Sequence, residues 1–350
     1  MTPHILFQRF QYPTLQNRLY RTAAEARECP TDDITLVQDP AWGIVHNASF
    51  DPSKAVYDLL YNNEQSASLV FQDHMRKVQS IVEKTMGRTA LVEIGCGKGT
   101  FLEQLQEAEF DIAGYDPTYE GSNPRIERRI FSPAKGSSAR GIILRHVLEH
   151  IQSPFAFLTE VAKSNGYQGL ISIEVPCFDW ILRNNAWWDI FYEHVNYFRA
   201  DDFRHLFGNI LDIGHIFGGQ YIYVVADLAS IQSATDPPSP EPLIPDALTP
   251  GMQLDNKYSS HVIWGAGSKG CIFAIAAERG GQRIAAAVDI HPAKHNLHLP
   301  VTGIRVMSPH EAIERLPVDS CIHVMNPNYI DEVKGIVSDR YDIIALSNCG

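Results

Sequence analysis

Leu91-Val92-Glu93-Ile94-Gly95-Cys96-Gly97-Lys98-Gly99 is the stretch whose reading decides the fold. A short apolar run ends in an acid, glycines follow at every second position, and a helical pattern begins near Thr100. Glycine suits such a loop because the backbone must turn sharply and approach a ligand with no Cβ in the way. Asp116 closes the next apolar run, Ile112 to Tyr115, where a strand-end carboxylate can accept hydrogen bonds from both hydroxyls of a ribose. A tight turn in any α/β protein, with Asp116 a solvated strand end, is the plain alternative.

Working outward, strand-like and helical runs alternate from about residue 86: ALVEIG, FLEQLQEAEF, DIAGYD, GIILRHVLEHI and GLISIEVP. That alternation predicts a parallel sheet covered by helices. A proline-rich stretch from 229 to 251 has neither period and reads as a linker or surface strap. Beyond it the pattern restarts with HVIWGAG, CIFAIAAERGG and RIAAAVDIH. The predicted organisation is an amino-terminal lid or entry region at 1–85 with a helix from Ser66 to Met86, then a Rossmann-like domain at 86–228. A linker at 229–257 and a second, smaller Rossmann-like domain at 258–350 complete it.

The chain has 350 residues, enough for two or three cores, and carries 29 Lys+Arg against 41 Asp+Glu. The net charge of -12 opposes binding to nucleic acid, a polyanion. No run of roughly 18 apolar residues and no leader pattern occurs, so a cytoplasmic protein with no membrane partner is expected. The six cysteines are scattered without a Cys-x-x-Cys pair, which predicts reduced, mostly buried thiols and no metal site. The sequence does not disclose an oligomeric state.

Residues 187–199, WWDIFYEHVNYFR, crowd six aromatic rings around Asp189, Glu193 and His194. Titratable groups packed among rings are costly to bury unless they are used or hydrogen-bonded. His194 can exchange a proton near neutral pH, and Glu193 beside it could orient or tune that base, although adjacent residues in a strand would point apart. A core segment holding one hydrogen-bonded histidine is the alternative. A second glycine loop, Gly265-Ala266-Gly267-Ser268-Lys269-Gly270, follows an apolar strand, and Asp289 ends the next one. Taken alone this satisfies the dinucleotide fingerprint, so an NAD-binding oxidoreductase is a competing reading.

The first loop, with Glu93 ahead of Gly95, Gly97 and Gly99 and with Asp116 beyond, resembles the S-adenosylmethionine (SAM) loop of class I methyltransferases. The resemblance implies SAM as cofactor, with the loop beside its methionyl and adenosyl parts and Asp116 on the ribose. Arg145-His146-Val147-Leu148-Glu149-His150-Ile151 resembles the strand-four segment of such enzymes. It makes His146 a candidate SAM contact, a local turn histidine being the alternative, and leaves Glu149 and His150 to cap or brace the following helix.

The order of these motifs, with the Glu193-His194 stretch, a Phe-Gly-Gly turn at 217–219 and a second Rossmann-like unit, is similar to the nucleotide-sugar C-methyltransferases. That likeness implies His194 as general base with Tyr192 and Glu193 beside it, and a small-molecule acceptor, a nucleotide-linked keto sugar. It also implies acceptor contacts from Tyr61, Gly265, Gly267, Lys269, Gly270 and Asp289. The sequence departs from that family in lacking its amino-terminal four-cysteine zinc module, having only Cys29 there, and in reading Asn62-Asn63-Glu64-Gln65 after Tyr61. O- or N-methylation of another small metabolite, and a non-catalytic SAM-responsive protein, stay open at this point.

Overall fold

The computed structural model describes residues 4–58, 60–131, 139–232, 240–245, 248 and 254–346. The chain opens with the antiparallel strands β1 (Ile5–Pro13), β2 (Thr31–Gln38) and β3 (Val45–Asn47), with the short helix α1 (Ala23–Arg27) between the first two. Helix α2 (Leu69–Met86) follows, started by the Ser68 side chain accepting from the Phe71 amide and ended by Gly87 at φ 76°. Its stripe of Phe71, Met75, Val78, Val82 and Met86 recurs at helical spacing and is buried. That face packs with Leu91 of the next sheet and with Phe101 and Leu102 of the helix that follows it, rather than on the strands before it.

The second sheet takes β4 (Leu91–Ile94), β5 (Ile112–Tyr115), β6 (Ile126–Glu127), β7 (Gly141–Arg145) and β8 (Leu170–Pro176), with α3 (Thr100–Glu107) and α4 (Pro154–Ser164) in the connections. Then come α5 (Phe178–Arg183), β9 (Asn196–Tyr197), α6 (Ala200–Leu206), β10 (Ile210–Ile216) and β11 (Tyr221–Asp227). The strand order is β10-β11-β8-β7-β4-β5-β6. Its four pairings from β6 to β8 are parallel, and β11 runs antiparallel to both neighbours. All four residues of β4 are buried, as a strand covered on both faces requires.

β9 leaves this sheet's chain segment to pair with β3, closing the first sheet in the order β1-β2-β3-β9. The ring-rich stretch before it is thereby clamped, with Asn47 N–H donating to the Val195 carbonyl at 2.7 Å. The third sheet, wholly parallel, comprises β12 (Ser260–Trp264), α7 (Ser268–Arg279), β13 (Ala286–Val288), β14 (Val306–Met307), α8 (Pro309–Arg315), β15 (Ser320–Val324), α9 (Ile330–Val337) and β16 (Asp342–Ala345). Its order is β14-β13-β12-β15-β16. The mixed α/β class with two Rossmann-like units is the one expected from the sequence.

Of the proline-rich strap, 233–239, 246–247 and 249–253 lie outside the described residues, as does Cys349. The described part is tied down: the Leu248 carbonyl accepts from Arg9 and the Pro240 carbonyl from Arg199. The other five cysteines are free and buried. Among the described residues no helix is long and apolar enough to cross a membrane.

Gly270 shows why the second loop needs its last glycine. A Cβ there would fall well inside contact distance of the Gly265 carbonyl, which cannot retreat because the Gly265 amide is bonded to the Val288 carbonyl at 2.8 Å. Gly270→Ala is expected to lower stability by about 2–3 kcal/mol in chemical denaturation, in the range for overpacked cores. Gly335→Ala, on α9 with open space around it, serves as the control and should be neutral or stabilising by about 0.5–1 kcal/mol.

Candidate active site

One cleft of about 340 Å³ lies between the carboxyl ends of the second and third sheets. In the second sheet it sits where the order reverses between β4 and β7, the position at which open α/β sheets take ligands. Gly95, Gly97 and Gly99 all have positive φ, at 74°, 56° and 85°. A Cβ on Gly95 would strike the Val147 side chain, whereas one on Gly97 would meet open space. The loop thus packs on one side and leaves its other side free.

Asp116 stands behind that loop. Its Oδ2 accepts from the Gly97 amide at 2.8 Å and its Oδ1 from the Thr118 amide and hydroxyl at 2.7 Å each, and a carboxylate so placed keeps lone pairs for a further donor. Glu93 lines the cleft with Oε2 buried and unpartnered. Burial raises its carboxyl to about 7, more than the neighbouring Arg145 lowers it. Arg145 presents an equally unpartnered Nη2 beside it.

Arg145, His74 and His146 converge on Glu174, at the end of β8. Arg145 Nε lies 2.7 Å from Oε2, His74 Nε2 lies 2.6 Å from Oε1, and His146 Nε2 lies 3.6 Å from Oε1. Burial would raise the Glu174 carboxyl, but Arg145 and His146 outweigh it and hold the group well below its ordinary range. His146 itself, at φ 52°, also meets Glu149 Oε1 at 3.2 Å. Burial opposes its protonation, yet Glu174 and Glu149 together raise it to about 9.

His194 faces the cleft with its ring 4.0 Å from Phe191 and 4.9 Å from His150, centroid to centroid. No hydrogen bond to that ring exists among the described residues. Burial, with His150 and His146 nearby, holds it well below 6.5, so the imidazole is neutral. Glu193, expected to orient that base, sits in a turn closed by the His194 amide donating to the Phe191 carbonyl and does not line the cleft. Its carboxylate accepts from the Tyr61 hydroxyl at 2.7 Å and the Gln16 amide at 3.3 Å, while its carbonyl takes His150 Nδ1 at 2.9 Å. Tyr61 lines the cleft, so Glu193 acts as a brace behind it.

The structure moves three residues from their expected places. The Tyr192 hydroxyl meets Asp32 at 2.9 Å and the Asp51 amide at 2.8 Å, anchoring the first sheet away from the cleft. Glu149 and His150 do not brace a helix from outside: they sit in a 3-10 turn at Leu148–His150 that folds back after β7 and puts both on the cleft wall. The Glu149 Oε2 atom is buried without a partner.

The second glycine loop also borders the cleft through Gly265, Gly267, Lys269, Gly270 and Asp289. Its groups are already engaged. The Ser268 amide donates to Asn17 Oδ1 at 2.9 Å, Lys269 Nζ bonds Asp189 at 2.8 Å and Gln220 at 3.0 Å, and Asp289 holds Lys294 and the Ala266 amide. A dinucleotide would have to displace Asn17 from the helix start and Lys294 from the ribose-binding acid. Asn17, Gln220, Asp189, His74, Arg145 and Glu174 escaped sequence reasoning as site residues. Only Glu174 carried a local signal, an acid ending an apolar strand.

The reversed sheet order and the open glycine loop, together with a matching methyltransferase family model, are those of a SAM-dependent methyltransferase, with S-adenosyl-L-methionine as its cofactor. Residues 66–210 match the family model described as methyltransferase domain. The chain is 24% identical over 310 residues, 75% of its length and 73% of the relative's, to the C-methyltransferase NovU of Streptomyces niveus. Among solved structures it is similar to the 1,6-didemethyltoxoflavin-N1-methyltransferase of Burkholderia thailandensis, at 16% identity and a TM-score of 0.34 over 48% of this chain and 82% of that one. It is likewise similar to the magnesium protoporphyrin IX methyltransferase of Synechocystis, at 16% identity and a TM-score of 0.35 over 49% and 89%.

Proposed function

We propose that the protein methylates carbon in a small carbonyl compound, a keto sugar linked to a nucleotide, with His194 as the general base. The observation that carries this reading is an imidazole facing the cleft across from the glycine loop, without a hydrogen bond among the described residues and held by burial below its ordinary range. The similarity to a C-methyltransferase supports the atom methylated. The cytoplasm is the proposed location, in keeping with five free buried thiols.

The residues present fit the cofactor. Glu93 Oε2 and Arg145 Nη2, buried and lacking partners, are opposite charges suited to the ammonium and carboxylate of an amino acid. Asp116 would hold the ribose, and the bare face of Gly97 leaves room for the chain between them. SAM, when bound, supplies an electrophilic methyl group. His194 takes the proton from the carbon beside the acceptor's carbonyl, the enolate carbon bonds to the methyl, and the electrons of the broken bond remain on sulfur. Tyr61, braced by Glu193, borders the acceptor space.

Incubation with methyl-labelled SAM and candidate nucleotide keto sugars is expected to give product whose label survives acid hydrolysis on carbon. Label recovered on oxygen or nitrogen overturns the assignment.

A further inference from the structure

We propose that His261, Cys321 and His323 form a binding site for one zinc ion between β12 and β15, remote from the cleft. In the parallel register His261 stands opposite Cys321, and His323, two residues on, shares the face of Cys321. His261 Nδ1 lies 2.9 Å from His323 Nε2, and one donor atom from each of the three residues falls within 4.8 Å of the others. The residues are 8%, 0% and 5% exposed.

Two features distinguish the trio from a chance packing of side chains. First, His261 Nε2 lies 3.2 Å from the Asp255 carbonyl, which fixes the ring and leaves Nδ1 as the donor nitrogen, the outer-shell arrangement that metal-binding histidines adopt. Second, the Cys321 thiol is wholly buried and has no hydrogen-bond partner among the described residues.

Two imidazoles and a thiol, with no oxygen donor among them, select a borderline-soft ion such as zinc over magnesium or calcium. None of the three residues lines the cleft, which lies beyond the carboxyl ends of these strands at the Gly265 loop. The ion would therefore fasten the two central strands of the third sheet and take no part in methyl transfer. A second trio, Glu149, His150 and His194, also brings three donors within 4.8 Å, but it faces the cleft and contains no sulfur.

Cobalt(II) distinguishes the two. Titration of the reduced, chelator-treated full chain is expected to give a thiolate-to-cobalt charge-transfer band that saturates at one ion per chain and is erased by one equivalent of zinc. Cys321→Ser should remove the band, and His323→Gln should weaken cobalt binding by more than about 100-fold, the upper end for outer-shell changes. Both variants should keep wild-type affinity for S-adenosylhomocysteine, which reports the intact cleft and, should one variant fail to fold, identifies the other as the one to read. Absence of the band in the wild-type chain, cobalt bound without it, or its persistence in Cys321→Ser overturns the proposal.

Discussion

Replacing His194 with asparagine is expected to lower turnover by about 10²–10⁴-fold while calorimetry finds S-adenosylhomocysteine bound with unchanged affinity. Asparagine keeps the approximate size and polarity but cannot take a proton. The ring makes no hydrogen bond among the described residues, so its loss leaves no partner stranded and the fold should tolerate it. The pH profile offers an independent reading. Because burial and the neighbouring histidines hold His194 well below 6.5, it is a free base throughout the neutral range. Turnover limited by this group should therefore stay level as pH falls through 6.5 and decline only in more acidic solution. A wild-type profile that breaks at 6.5 or above would assign the base elsewhere, and undiminished turnover in His194→Asn would remove it from the mechanism.

Deuterium offers a further separation of proton removal from methyl transfer. If His194 takes the α-proton, acceptor incubated in deuterated water with S-adenosylhomocysteine in place of SAM should gain deuterium at that carbon, and the His194→Asn variant should not support the exchange. Exchange that proceeds equally in the variant would show that another group, or solvent, does the abstracting.

The glycine loop and its acids were legible because their signal is local. A four-residue apolar strand, alternating glycines and a helix start leave the chain one way to turn, and the structure has it turn that way. The amphipathic stripe of α2 was equally plain in sequence, but a stripe states that a face is buried without stating against what. It proved to cover the second sheet. Tyr192 shows a different limit. The side chains of residues 192–194 leave the chain in three directions, set by β9 pairing with β3, a contact made across about 150 residues of sequence. Glu149 and His150 were misplaced for a related reason: the 3-10 turn at 148–150 returns to the cleft, where a helix start had been the simpler reading. At the second glycine loop the fingerprint was fully present, yet Asn17, from the far end of the chain, occupies the helix start. A motif records what a backbone can bind. It does not record what the remainder of the chain has already placed there.

Glu174→Gln should have the largest effect on stability, because this carboxylate compensates more than one buried cation. Removing one member of a buried ionic group costs about 3–5 kcal/mol, since the partners stay behind without compensation. Here Arg145 at 2.7 Å would keep its charge, and His146 would lose the main interaction that sustains its own. Chemical denaturation should find the variant destabilised by that amount at pH 6. The pH dependence follows from the signs. His146 is raised to about 9 from 6.5, so its contribution is complete below 6.5 and is lost as pH rises through 9. For wild type this predicts a loss on the order of 3 kcal/mol between those limits. Glu174 is depressed, so its contribution is complete above the ordinary carboxylate range and is lost as pH falls through its lowered value. In Glu174→Gln burial prevails at His146, the imidazole is neutral across the interval, and the loss between pH 6.5 and 9 should shrink toward zero. A variant that keeps the wild-type slope would show that Glu149 alone sustains the charge on His146. The two outcomes also differ at the cleft, because His146 and Arg145 both line it. With the cluster intact, Arg145 is held over Phe101 at 4.3 Å with Nη2 unpartnered, and freeing it from Glu174 should weaken S-adenosylhomocysteine binding together with stability.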